Sequence, residues 1–219
     1  MEILEAIAEN LRFGEASKVE ELVQAALDDG VDVDDVLQGG LISGMTTVGI
    51  LFRDEEMFLP EVMLSAKAMD AGMEILEPLL LLKHSGKKKE AKIVLGTVVG
   101  DVHSIGKNLV GIMLKGAGFE VEDLGVNVSP EKFVEAAAGG AQIVGMSALL
   151  TTTMRSMKTN IEALDSAGLR GKVKILVGGA VLTQKYADEI GADGYAPDAG
   201  SVVDKVKELL EQLNVNYLY

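Results

Sequence analysis

The hydrophobic period of this chain changes once, near residue 83, and that change constrains its fold more than any other feature. From residue 1 to about residue 82 the apolar residues recur three or four positions apart, the spacing of one face of a helix. Ile3, Leu4, Ile7 and Leu11 form one stripe, and Val19, Leu22, Val23, Ala26 and Leu27 form a second. The second stripe stops at Gly30, placed as a C-terminal helix cap. Acidic residues at 32–35 offer caps for a third helix, through Val36, Leu37, Leu41, Met45 and Val48. Pro60 suits the first turn of a fourth, with Val62, Met63, Ala66, Met69, Met73 and Leu76 facing inward. Four helices joined by short loops predict a small bundle over 1–82.

Residues 83–91 are polar, basic and contain a glycine, as a linker would be (Lys83, His84, Lys87, Lys88 and Lys89 among them). Beyond them, β-branched runs at 92–98, 120–126, 141–147 and 173–177, with a weaker fifth at 192–196, alternate with helical patterns. The helical stretches are 105–118, 130–138, 153–167, 182–190 and 201–213. This alternation predicts a parallel sheet with helices on both faces. In such sheets ligands sit beyond the carboxyl ends of the strands, where the strand order reverses.

Composition narrows the chemistry. The 219 residues include no cysteine, no tryptophan and only two histidines, His84 and His103. Thiolate metal sites, thiol nucleophiles and disulfides are therefore excluded. A net charge of −14 argues against nucleic-acid binding, which needs a basic face. The acidic N-terminal stretch is unlike an export signal, and the most apolar uninterrupted run, 79–82, is far short of a membrane span. A cytoplasmic protein without membrane partners is the expectation.

The predicted ligand edge gathers three loops. The first runs Gly100, Asp101, Val102, His103, Ser104, Ile105, Gly106; the second runs from Ser147 through Leu149 and Thr151 to Thr153; the third is Gly178, Gly179, Ala180. Asp101 lies two positions before His103, so a carboxylate can fix the histidine tautomer and leave the other ring nitrogen for a metal or a proton. One histidine cannot hold a free zinc ion, but it can fill one axial position of a metal already held in a macrocycle. Paired glycines let a flat or extended ligand approach the backbone. The glycine spacing matches neither a dinucleotide fingerprint nor a P-loop.

Together, D-x-H-x-x-G at 101–106, S-x-L at 147–149 and the Gly178-Gly179 pair resemble the corrinoid-binding signature of cobalamin-dependent enzymes. The resemblance extends over nearly the whole chain. The stretch Leu51-Phe52 with Met57-Phe58-Leu59-Pro60-Glu61-Val62 is similar to the helical cap of cobalamin-dependent methionine synthase. Size and layout resemble the small corrinoid proteins of methanol, methylamine and methoxyaromatic methyl-transfer systems. The implied fold is α/β: an N-terminal four-helix-bundle cap, then a Rossmann/flavodoxin-like parallel five-stranded sheet domain over 92–219. The implied cofactor is cobalamin or a related corrinoid, methylcobalamin in the loaded state.

The resemblance also implies roles. His103 is the lower axial ligand, Asp101 its hydrogen-bond partner and Thr153 the end of a proton relay. Gly100, Val102, Ile105, Gly106 and Leu149 belong to the matched motifs; Ser147 and Thr151 contact the displaced nucleotide tail. Gly178, Gly179, Ala180, Asp198 and Ala199 line the opposite wall. Phe52, Leu59 and Val62 shield the upper face, while Met45, Met63, Met69 and Met73 are read as helix core. Ser104 stands where many relatives carry aspartate. The function implied is that of a methyl carrier, not an enzyme complete in itself. Its implied partners are a substrate-specific methyltransferase, a second methyltransferase acting on tetrahydrofolate or coenzyme M, and a reductive activase. The linker would serve as a hinge for the cap. A cobalamin-dependent sensor, a mutase small subunit and a plain nucleotide-binding domain are the competing readings.

Overall fold

The computed structural model describes residues 2–83 and 91–213. The expected hinge around Lys87–Lys89, with His84, lies outside the described residues, as do 214–219. The described chain forms two compact units, one helical and one built on a sheet.

The helical unit contains α1 (Glu2–Arg12), α2 (Ala16–Asp28), α3 (Val33–Asp35), a π-helical segment Val36–Ile42, α4 (Ser43–Arg53) and α5 (Leu59–Lys83). Segments α3 to α4 run on as one helix, so the four-helix expectation holds with a wider turn inside the third. Gly30, at φ +79°, donates its amide to the Leu27 carbonyl and ends α2 as expected. Asp32 caps α3 by accepting the Asp34 amide at 2.9 Å. At the start of α5, Glu61 reaches back to the Phe58 amide at 2.8 Å, and Pro60 occupies the first turn.

The core contains Ile7, Leu11, Val19, Val23, Val36, Leu41, Met45, Val48 and Leu76. Met69 is also buried, but Met63 is half exposed and departs from the expected core role. Its neighbour Val62 already fills the inward position of that turn. The continuous helix Val33–Arg53 is 21 residues long and apolar enough, by length and composition, to cross a membrane. No uninterrupted apolar run marks it in the sequence, because its apolarity is spread among glycines and threonines. Here its inward stripe is buried in the helical unit. Residues 1–82 hold 18 of the 34 acidic and 4 of the 20 basic side chains, so the whole net charge of −14 lies in them.

The sheet unit contains β1 (Lys92–Thr97), α6 (Ile105–Gly116), β2 (Glu120–Asp123), α7 (Pro130–Ala138), β3 (Ile143–Ser147), α8 (Ser156–Ser166), β4 (Lys174–Gly178), α9 (Gln184–Ile190), β5 (Gly194–Ala196) and α10 (Val202–Gln212). All neighbours pair in parallel, in the order β2-β1-β3-β4-β5. This is the five-stranded flavodoxin-like order, with its switch point between β1 and β3. Most of the expected elements are shorter than their patterns by one to four residues, and two of these differences bear on the switch point. Strand β2 stops at Asp123 instead of 126, and α8 begins at Ser156 instead of 153, because the residues after β2 and before α8 turn to serve the β1 loop.

One sheet face carries Val94, Val144, Met146, Ile175 and Val177 against Phe133 of α7 and Met157, Ile161 and Leu164 of α8. The opposite face faces α6 and α10: Leu95 approaches Gly111, and Gly194 approaches Leu209. Register puts Thr97, Ser147, Gly178 and Ala196 in one row across the carboxyl end of that second face. Four small residues in a row leave the sheet low at this edge.

Tight helix packing gives a prediction. A Cβ on Gly44 would lie 2.9 Å from the Ala8 carbonyl oxygen and 3.1 Å from its Cα, both backbone atoms that cannot swing aside. Alanine gains about 1 kcal/mol of helix propensity over glycine, but overpacking costs about 1–3 kcal/mol. Gly44→Ala should therefore lower the thermal unfolding midpoint in spite of its better helix former.

Candidate functional site

The loop between β1 and α6 carries Asp101 and His103 at the switch point. Thr97, the last residue of β1, is fully buried and donates its hydroxyl to the His103 carbonyl at 2.9 Å. Gly100, at φ +83°, turns the chain over the strand end, a conformation costly for any residue with a Cβ. Asp101 then points inward, its side chain having no exposed surface.

The Asp101 carboxylate has every acceptor position filled. Oδ1 accepts the His103 amide at 3.0 Å and faces His103 Nδ1 at 2.7 Å. Oδ2 accepts the Leu149 amide at 2.9 Å and the Thr153 hydroxyl at 2.7 Å. Burial disfavours the charged carboxylate. The Thr153 hydroxyl, the two amides and the histidine ring outweigh that cost and hold its pKa well below the usual range. An ionised carboxylate only accepts, so the proton of His103 resides on Nδ1. Nε2 keeps a free lone pair, on a side chain that is 48% exposed. Thr153 also lies 3.0 Å from the Leu150 carbonyl, and its single hydroxyl proton can serve one acceptor at a time.

The surroundings are apolar and open. Val102 is 69% and Ile105 73% exposed, with Val99, Val126, Leu149 and Leu150 also exposed on the loops after β1, β2 and β3. A cluster of uncovered apolar side chains at one edge marks a binding surface. Gly106 stands in the first turn of α6 with nothing within 4 Å of a built Cβ. No internal contact requires a glycine there, although glycine costs a helix about 1 kcal/mol.

Of the residues singled out from sequence, the structure joins Asp101, His103, Leu149 and Thr153 directly. Ser147 and Gly178 are register partners, and Ser104 accepts the Asn108 amide through its carbonyl. Thr151 and Ala180 are exposed. Gly179 has an internal reason for lacking a Cβ. At φ +139° such an atom would lie 1.9 Å from the Ala148 carbonyl oxygen, so its glycine is imposed by the β3 loop. Asp198 turns to the start of α10, accepting the Ser201 amide at 2.8 Å, and Ala199 is buried beside it. Phe52 and Leu59 are half-buried in the helical unit, and Val62 is fully buried.

Sequence reading passed over Thr97, which looked like an ordinary strand residue. It also passed over Asn127, which takes φ +52° on the loop after β2. An asparagine between two valines after a strand is a usable sign of the left-handed conformation. Lys107, nearly fully buried, pairs with Asp123 through both carboxylate oxygens at 2.6 Å.

A B12 binding domain family matches residues 91–204, and a second B12 binding domain family matches residues 3–77. A corrinoid protein of Desulfitobacterium hafniense is 45% identical over 96% of this chain and 98% of its own. Dimethylamine corrinoid protein 1 of Methanosarcina acetivorans is 48% identical over 82% of this chain and 84% of its own. The solved methanol:cobalamin methyltransferase complex of Methanosarcina barkeri contains a chain that superposes with TM-score 0.84. It is 31% identical, over 96% of this chain and 80% of that one.

The depressed Asp101 pKa sets a pH dependence. Its folded value lies below its unfolded one, so its stabilisation is complete above about pH 4 and fades as pH falls toward the folded pKa. Asp101→Asn should lose about 2–4 kcal/mol at pH 7. Denaturant titrations should show the gap from wild type narrowing below about pH 4; a gap that widened there would contradict the assignment.

Proposed function

The chain belongs to the B12 binding domain family of corrinoid proteins, and from that premise we propose that it is a methyl carrier holding cobalamin or a related corrinoid through His103. The observation that carries this reading is the pairing of a half-exposed imidazole, lone pair on Nε2, with a buried and fully hydrogen-bonded Asp101. A corrinoid seated here supplies cobalt as the atom that accepts and releases the methyl group.

The residues present fit that group. Among the described residues no three His, Asp or Glu side chains gather as a metal site, so the donor set offers one nitrogen, suited to an axial position. The exposed apolar residues around His103 match the hydrophobic periphery of a macrocycle, and Gly106 leaves open space where a Cβ would stand. The row Thr97, Ser147, Gly178 and Ala196 offers a shallow floor for an extended nucleotide tail, with Ser147 and Thr151 as its polar contacts. Gly178, Gly179, Ala180 and Ala199 would form the opposite wall, and Asp198 would shape it through its turn at Ser201.

The chain's own groups then have defined work. Asp101 holds His103 in the Nδ1–H tautomer and orients Nε2. Thr153 donates to Asp101 while the carboxylate is ionised, and can turn its proton to the Leu150 carbonyl when Asp101 shares a proton with the ring. That exchange would let the Asp101–His103 pair hold an added proton on His103 Nε2 whenever that nitrogen is not bound. Phe52, Leu59 and Val62, apolar residues of the helical unit, are assigned to shielding a bound cofactor from water. The partners in this reading are a substrate-specific methyltransferase, an acceptor methyltransferase using tetrahydrofolate or coenzyme M, and a reductive activase, all in the cytoplasm.

Reconstitution tests the reading. Wild-type protein incubated with methylcobalamin should retain it through gel filtration and show the absorbance of histidine-ligated cobalt. His103→Ala should lose that spectral form and bind about 10–100-fold more weakly. An unchanged spectrum and affinity would overturn the assignment.

A further inference from the structure

The loop that carries His103 is stapled at both ends by a single segment, residues 123–128. In a regular parallel ladder, Thr97 would donate to the residue before its partner and accept from the residue after it. Here Thr97 donates to the Gly125 carbonyl at 3.0 Å and accepts from the Val128 amide at 2.9 Å, so one extra residue lies between. That is a bulge, and bulges beside functional sites redirect side chains. The bulge brings Asn127 over the histidine loop in the left-handed conformation, at φ +52°.

Asn127 grips the loop at two points. Its side-chain Oδ1 accepts the Gly100 amide at 2.7 Å, and its own amide donates to the Asp101 carbonyl at 2.9 Å. From the same segment, Asp123 holds Lys107, in the first turn of α6, and also accepts the Gly125 amide at 2.8 Å. Thr97 holds the His103 carbonyl from below. The backbone on both sides of Asp101 and His103 is thus fixed by groups that make no bond to either side chain.

Resting on the corrinoid reading, we propose that Asn127 is a positioning residue for the axial ligand: with Thr97, it sets the height of His103 above the sheet edge and so the strength of the histidine–cobalt bond. A bond between an imidazole and an axial site depends steeply on distance, and partners behind a metal ligand commonly change its binding by 10-fold or more. Asn127 is suited to the position on two counts. It tolerates positive φ at lower cost than most residues, and its short amide reaches the Gly100 amide.

The test separates these two properties. Asn127→Gly keeps the left-handed backbone and removes the acceptor; Asn127→Asp keeps both. In apo protein, hydrogen exchange at the Gly100 amide should quicken about 10-fold or more in Asn127→Gly and stay near wild type in Asn127→Asp. After loading with methylcobalamin at one fixed pH, the ratio of histidine-ligated to unligated cobalt should fall about tenfold in Asn127→Gly, with Asn127→Asp close to wild type. Thr97→Val, matched in shape and lacking the hydroxyl, should shift the ratio in the same direction and stands in if Asn127→Gly does not fold. Wild-type protein without a histidine-ligated form would sink the corrinoid reading itself. A histidine-ligated wild type with an unshifted ratio in both Asn127→Gly and Thr97→Val would overturn only the positioning role, as would an Asn127→Asp variant as impaired as Asn127→Gly.

Discussion

The buried carboxylate of Asp101 is the constraint on which the site depends. A charge without exposed surface is tolerated only when its acceptor positions are satisfied, and here four donors converge on two oxygens. Those donors come from separate parts of the sequence: two from His103, and two from the β3–α8 loop. Satisfying Asp101 therefore pulls the two loops at the switch point together and fixes the imidazole in one tautomer. Electrostatic cost and functional geometry have the same solution.

Sheet order explains why this convergence is available. With β1 central between β2 and β3, its carboxyl end is reached by loops from both neighbours. The β3 side provides Leu149 and Thr153 to the carboxylate. The β2 side provides Asn127 and Gly125 to the backbone beneath it. The small row Thr97, Ser147, Gly178 and Ala196 keeps the adjoining edge low, and the exposed valines, leucines and isoleucine around His103 make it apolar. The helical unit is built on a different economy of close helix contacts at Gly40, Gly44 and Gly72, where a Cβ would lie 2.9 Å or less from a neighbouring atom.

Much of this was legible in the sequence, because periodicity and short motifs report local physics. The change of period near residue 83 marked where helices give way to a sheet, and the Asp101–His103 spacing pointed to a carboxylate–imidazole pair. Three features escaped for physical reasons. The π-helical segment Val36–Ile42 keeps nearly the same apolar spacing as an α-helix, so the pattern does not reveal it. The need for glycine at 179 arises from the Ala148 carbonyl, thirty-one positions earlier, a tertiary contact that no local window contains. Asn127 and Thr97 act through backbone groups of the histidine loop, and backbone partners leave no mark on residue type at the other end.

The central claim is that the nitrogen below cobalt comes from the protein. Electron paramagnetic resonance of the cobalt(II) form tests it most directly, because an axial nitrogen splits the signal according to its nuclear spin. Protein labelled with 15N only at histidine and loaded with unlabelled cobalamin should show a doublet splitting where unlabelled protein shows a triplet. A triplet that persists on labelling would mean that the cofactor's own base holds the cobalt, and would contradict the account.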